Sequence, residues 1–386
     1  MTVNKKKILF VNDEMRMGGV ARVLNTLMEA LPEDQYDIDL LVLHKRGMLL
    51  KEVPANVRIL EGSSFFRTVD QSLPALLQEF DIPAVFSKIR LLLYMKTGAI
   101  KKKIKEERNR THLEGYDIEV AAKEGFCTIF TACGTSRKKI NWVLTDYSVC
   151  NYSKRHMNLV KWALQYIDLN VADSTQALKA YEDVFHVTNG VALHNLMDTQ
   201  RISESLKQPS SIHENDSLPK VICVARFHPQ KAIDRLLIAS READAIGLKH
   251  HLYLVGGGEE ESALKQYVQD NHMDYVNFCG YMQNPYSAIE ACDLFVLPSL
   301  YEGFATVINE SLIATTPVLT AAVSGTEEQI TSKDYGRIVE NSQKGLNEGL
   351  QNALKDPSLL RDMKQKLNSY HYPNDRILKQ FLNVLQ

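Results

Sequence analysis

Cysteine is scarce in this chain, and its six copies (127, 133, 150, 223, 279 and 292) are scattered without a Cys-x-x-Cys pair. Most sit inside apolar runs such as Val221-Ile222-Cys223-Val224. That placement excludes a disulfide framework and a zinc–thiolate site, and it reads as reduced core residues of a protein kept inside the cell. Net charge is sparse too: a formal −2 over 386 residues gives no ground for a nucleic-acid partner. Long apolar runs are missing, so no segment is expected to span a membrane. The opening Lys5-Lys6-Lys7-Ile8-Leu9-Phe10-Val11 has the order of a secretion signal, but it meets Asn12, Asp13 and Glu14 at once and reads as a first strand.

What is present is ordinary globular composition, 45% apolar and 24% charged, at a length that favours two domains with a core each. The chain is organised around the stretch from Cys292 to Leu312. Residues 294–297 read as a buried strand, Pro298 and Ser299 as a loop, and a helix is expected to open near Phe304. Glu302 stands just before that helix and Glu310 about two turns into it. Gly303 lets backbone come close to a ligand, and the first helix amides, unpaired within the helix, suit phosphate. Carboxylates beside such a site are wrong for phosphate and right for neutral hydroxyls, because an ionised carboxylate only accepts hydrogen bonds. Phosphates together with hydroxyl-rich rings describe a nucleotide sugar.

Towards the amino terminus, residues 8–11 and 36–43 read as strands around a loop through Gly18 and Gly19 and a helix from Ala21 to Leu31, a Rossmann-like rhythm. Asp37 and Asp39 imitate a metal-binding Asp-x-Asp motif, but alternation within a strand reads as exposed strand carboxylates. Between Lys88 and Arg110 nine Lys/Arg face only Glu106 and Glu107. Leu93, Ile100 and Ile104 with Lys96, Lys101, Lys103 and Lys105 suit one amphipathic basic helix. Such a helix either lies on an anionic membrane surface or packs on its domain with a solvated Lys face. Strands follow at 116–121, 139–144 and 169–172, and Asp146 stands just after the second of these.

Residues 199–219 are polar and aperiodic and fit a linker or exposed loop. A second α/β domain then starts with a strand at 220–225. The loop after it, Arg226-Phe227-His228-Pro229-Gln230-Lys231, puts two cations at a strand's carboxyl end, where α/β folds bind ligands. Gly256-Gly257-Gly258 invites a dinucleotide reading, but Glu261 occupies the third small position of that fingerprint, leaving a tight turn. Residues 376–385 read as a terminal amphipathic helix.

Glu302-Gly303-Phe304 followed by Glu310 resembles the E-x7-E motif of retaining GT-B glycosyltransferases of the GT4 family. Gly18-Gly19, the segment from Trp142 to Tyr147 and Arg226 with Lys231 match further motifs in the right order, so the resemblance spans nearly the whole chain. It implies an α/β GT-B fold, two Rossmann-like domains facing each other across a cleft. The first would cover residues 1–198 plus a helix at 371–386 crossing back to it, and the nucleotide-sugar domain 220–370.

The implied reaction moves a sugar from a nucleoside diphosphate sugar, UDP by default, to a hydroxyl of a glycan or lipid-linked glycan, as in capsule or other surface polysaccharide assembly. No metal or other cofactor is implied. By this resemblance Arg226 and Lys231 hold the diphosphate, Glu302 the donor sugar, Glu310 the ribose, and Tyr281 and Met282 border the base. Gly303, Phe304, Ala305, Thr306, Gly18 and Gly19 supply backbone to the donor, and Asp146 is the polar residue at the reacting centre. The chain departs from the family at Ala21 for a Glu, Leu144 for a His and Ala232 for a Gly. Lipid-linked acceptors in such enzymes favour the membrane reading of 88–110. Alternatives are an inverting GT-B transferase or epimerase, a nicotinamide dehydrogenase lacking its fingerprint, and a nucleotide-sugar-binding subunit of a partner transferase.

Overall fold

Strands and helices alternate along the chain and build two separate parallel sheets. The computed structural model describes residues 5–78, 80–149, 152–210, 212 and 216–386, with Gln78 by its backbone only. One unit runs through Leu196 and takes in Asn374–Gln386; the other is Met197–Pro373. Among the described residues no helix is long and apolar enough to cross a membrane.

The first unit holds β1 (Lys6–Asn12), β2 (Tyr36–Val42), β3 (Arg58–Glu61), β4 (Ile118–Ala121), β5 (Lys138–Val143), β6 (Leu169–Ala172) and β7 (Gly190–Ala192). Their order is β3-β2-β1-β4-β5-β6-β7, every pair parallel. Helices on both faces explain why the middle of β1 is an unbroken apolar run, with Ile8, Leu9, Phe10 and Val11 fully buried. A polar ladder crosses this core. Thr128 Oγ1 donates to Asn141 Oδ1 (2.6 Å), and Asn141 Nδ2 donates to Asn170 Oδ1 (3.0 Å) and to the Tyr181 hydroxyl (3.1 Å). The terminal helix Asn374–Val384 buries Ile377 and Phe381, sets Phe381 edge-on to Trp142, and receives Lys6 Nζ at the carbonyl of Leu385 (3.2 Å).

The second unit holds β8 (Lys220–Val224), β9 (His251–Val255), β10 (Val276–Gly280), β11 (Leu294–Leu297), β12 (Val318–Ala321) and β13 (Gly336–Val339), ordered β10-β9-β8-β11-β12-β13. Both sheets follow one plan: the winding direction reverses beside the first strand, between β1 and β4 and between β8 and β11. Crevices at the carboxyl ends of such strand pairs are where doubly wound sheets take ligands.

Four expectations are corrected. Residues 88–110 are not one helix: Ile82–Thr97 ends at Gly98, which adopts φ 76°, and a second helix runs Ile100–Arg110. Ile100 and Ile104 are core residues, whereas Leu93 is exposed, so these three share no face. Residues 199–219 are not wholly a linker. Asp198 accepts from the Arg201 amide (2.9 Å) and caps a helix, Thr199–Leu206, whose Ile202 is buried in the second unit's core together with Ile212; residues 211 and 213–215, like Cys150, lie outside the described residues. Asp39 is not an exposed strand carboxylate but is buried, bonded by Arg58 Nη2 at 2.5 Å and by the Tyr116 hydroxyl. Asp37 is exposed. Finally, the helix after β11 is Thr306–Ile313, which puts Glu310 one turn in.

Candidate active site

In the second unit, the loops after β8 and β11 are sewn together at the switch point. The Leu300 amide donates to the Gln230 carbonyl (2.8 Å), and Gln230 Nε2 donates to the Tyr301 carbonyl (2.9 Å). Lys231 Nζ then reaches Glu302 Oε1 at 2.5 Å, with both side chains largely buried. The two candidates named from separate motifs therefore meet. Pro229–Lys231 is a short 3-10 turn started by His228, whose Nδ1 accepts from the Gln230 amide (3.2 Å). Burial, and after it the Arg226 charge, holds the His228 pKa below the usual range. Arg226 is exposed and forms no ion pair among the described residues.

Ala232, where a Gly was implied, sits at φ 47° in the left-handed region and is buried. A β-carbon is tolerated there, though strained. Gly303, Phe304 and Ala305 are buried, and Ala305 is the N-cap of the helix Thr306–Ile313 without a side-chain cap. Its first amides thus have no side-chain oxygen closing them off, the condition for an anion site. Gln329 Nε2 braces this turn by donating to the Ala305 carbonyl (2.8 Å). Gly325, at φ 82°, packs on it so closely that a β-carbon would lie 2.9 Å from the Gly303 carbonyl oxygen.

The glycine triad has a mechanical role in the same site. Gly256 is at φ 136°, and a β-carbon there would lie 1.9 Å from the Ala225 carbonyl oxygen. The Phe227 amide donates to the Gly257 carbonyl (2.9 Å), so the triad presses the Arg226 loop into shape. The Gly256 amide donates to Gly280 O (2.8 Å), which carries the register on to Tyr281, exposed, and Met282, half-buried, at the end of β10. Glu310 is half-buried on the helix Thr306–Ile313.

The first unit has a corresponding junction at the carboxyl ends of β1 and β4. Lys123 Nζ, after β4, donates to Asp13 Oδ2, after β1, at 2.7 Å. Gly18 and Gly19 are exposed, with open space where a Gly18 β-carbon would stand, and they start the helix Gly19–Ala30 without a side-chain cap. Ala21 points into the core and Arg22 pairs with Glu52 at 3.8 Å. Backbone, not side chains, is what this loop offers. Asp146 folds its own turn, accepting from the Ser148 amide (2.9 Å) and hydroxyl (2.5 Å).

Sequence reasoning missed several residues here. Glu124, buried, accepts from the Leu144 amide (2.9 Å). His156 lies against Gly125; its Nε2 is buried with no hydrogen-bond partner among the described residues, and burial holds its pKa down. Arg46 Nε donates to Glu14 Oε2 (2.9 Å) while its Nη2 binds Asp70, which also meets His44 Nδ1 at 3.0 Å. Burial, then the neighbouring Asp70 carboxylate, lifts Glu14 to about 7, whereas Asp70, against its own burial, is held below the usual range by the hydrogen bond with Glu14 and after it by Arg46 and His44. The available signal was position alone: Glu14 and Glu124 each closely follow a strand. Among the described residues no group of three or more His, Cys, Asp or Glu could hold a metal ion.

Residues 205–369 match the family model described as Glycosyl transferases group 1. An uncharacterized glycosyltransferase of Haemophilus influenzae is 22% identical over 99% of this chain and its own whole length. The UDP-Gal:alpha-D-GlcNAc-diphosphoundecaprenol alpha-1,3-galactosyltransferase of Escherichia coli is 25% identical over 88% of this chain and 85% of its own. Among solved structures, HepE of Anabaena in complex with UDP and glucose superposes with a TM-score of 0.71 at 17% identity, over 98% of this chain and 99% of that one. That likeness carries the fold.

Proposed function

We propose that this chain, of GT-B fold, is a GT4-like glycosyltransferase that transfers a sugar from a UDP-sugar to a hydroxyl of a lipid-linked or polysaccharide acceptor, in the cytoplasm, with retention at the anomeric carbon. One observation carries the donor reading: Lys231, Glu302 and an uncapped helix start converge where β8 and β11 part. The nucleotide in this reading is supported by the UDP of the HepE complex and the UDP-Gal of the E. coli relative, and the acceptor by that relative's diphosphoundecaprenol.

A diphosphate leaves in this reaction, so the work is to stabilise negative charge as it develops. Arg226, Lys231 and the amides from Gly303 to Thr306 are fixed donors that meet that charge with little reorganisation, and two cations there remove the need for a metal. Glu302 and Glu310 accept from donor-sugar and ribose hydroxyls, and Tyr281 and Met282 flank the base. By the resemblance, Gly18 and Gly19 supply backbone and Asp146 a polar group in this reading.

The test is a thermal-shift panel of nucleotide sugars on the purified chain, followed by transfer assays. A ligand bound only by the folded state raises Tm, by an amount set by its concentration over Kd. UDP-sugars are expected to stabilise the chain, and Arg226→Ala and Lys231→Ala to lower transfer by about 10²–10³ each. Proton NMR of the product reads the stereochemistry. Tight donor binding with no turnover on any acceptor would instead favour a sugar-nucleotide-binding subunit of a partner transferase.

A further inference from the structure

The helix Ile82–Thr97 is apolar on two opposite sides. One side packs inward through Ala84, Ser87 and Leu91. The other leaves Ile82 64%, Phe86 68%, Ile89 41% and Leu93 53% exposed, at i, i+4, i+7 and i+11 spacing, so they form one stripe. Just before the helix, Leu77 and Phe80 are exposed as well, Phe80 at 87%. Large apolar side chains seldom cluster on a surface without something to cover them. The stripe borders an open groove of about 590 Å³ whose lining includes Arg67, Pro83, Phe86, Ile89, Arg90 and Leu93.

Charge around the stripe selects its occupant. Of the nine cations between 88 and 110, Lys88 donates to the Thr68 carbonyl, Lys101 lies over Trp162, and Lys103, Arg108 and Arg110 hold Glu106, Glu119 and Glu107. Arg90, whose guanidinium carbon lies 5.0 Å from the centre of the Phe65 ring, and Lys96, Lys102 and Lys105 remain exposed and form no ion pair among the described residues. Lys96, at i+14, continues the stripe, and Arg90 flanks it. A second copy docked on this face would bring cations onto cations, whereas an anionic lipid surface offers hydrocarbon for the stripe and phosphate for its rim. With sixteen residues the helix is too short to span a bilayer but long enough to lie along one.

We propose that the exposed stripe of this helix, with Arg90 and Lys96, docks the protein on anionic phospholipid, Phe86 and Ile89 sinking into the headgroup boundary. The proposal rests on neither the donor nor the acceptor reading. It is tested by cosedimenting the full chain with phosphatidylcholine vesicles with and without phosphatidylglycerol. Anionic vesicles are expected to bind at least about ten-fold better, each removed cation costing about five-fold. The double variant Phe86→Ser, Ile89→Ser is expected to abolish binding, and Lys96→Glu to weaken it, both with unchanged Tm and solution size. Equal pelleting by the double variant, or no preference for anionic vesicles, would overturn the proposal. So would a wild-type dimer that the double variant makes monomeric without any vesicle binding, which would assign the stripe to a second copy.

Discussion

Lys231 Nζ lies 2.5 Å from Glu302 Oε1, and this one contact joins the loop after β8 to the loop after β11. The contact pairs the cation with a carboxylate, so under the proposed function a donor diphosphate competes with Glu302 for Lys231. Glu302→Gln removes the competitor and is expected to tighten UDP binding several-fold, read by calorimetry. Under the proposed function it would also cut sugar transfer by at least about 10², because the acceptor proposed for the donor sugar is lost. Lys231→Ala is expected to weaken both. Loss of UDP affinity in Glu302→Gln would show that the carboxylate does not oppose the phosphates.

Gly256→Ala places a methyl group 1.9 Å from the Ala225 carbonyl oxygen, at a φ of 136° that an alanine avoids. The Arg226 loop has to shift, at a cost of about 1–3 kcal/mol. The expected result is a lowered Tm together with a donor Kd raised at least ten-fold. A variant with normal donor affinity would mean the triad does not shape the loop.

Asn141 sits at the middle of the buried ladder in the first unit, holding Thr128, Asn170 and Tyr181. Asn141→Leu strands their polar groups and is expected to cost about 1–3 kcal/mol for each left unsatisfied. Urea unfolding should register this as a lower midpoint at unchanged slope. Thr128→Val alone should cost less, because it strands one partner.

Glu14, lifted to about 7 in the fold by burial and the Asp70 carboxylate, holds a proton there that it has lost in the unfolded chain above its ordinary value of 4.5. Its share of stability is therefore full below pH 4.5 and is lost as pH rises to about 7. Wild type is expected to lose roughly 1–3 kcal/mol over that window from this group, with the side chain's partial exposure holding the figure down. Glu14→Gln should flatten the dependence of Tm on pH between 5 and 8. An unchanged slope would mean that Glu14 titrates normally.

Much of the fold is legible before any coordinate. β9 and β11 lie where continuous apolar runs end at Gly256 and Pro298, because strands buried on both faces tolerate little else. The Arg226–Lys231 loop was legible for the same reason, as polar residues straight after such a run. Spacing failed at 88–110: Leu93, Ile100 and Ile104 mimic one helical face across Gly98, and only long-range packing turns Ile100 and Ile104 inward. Asp198 caps a helix that the polar composition after it concealed. The Glu14–Arg46–Asp70 cluster and the Lys123–Asp13 pair join residues far apart in the chain, and no local pattern announces them.

The return of Asn374–Gln386 to the first sheet bears on how the chain is made. Everything needed for the Met197–Pro373 unit leaves the ribosome before the last piece of the amino-terminal unit does. Phe381 cannot cover Trp142 until residues after 373 have been made, so of these two units the one begun first is finished second. A nascent chain stalled just before residue 374 would carry a mature second unit and a first one whose indole is still wet.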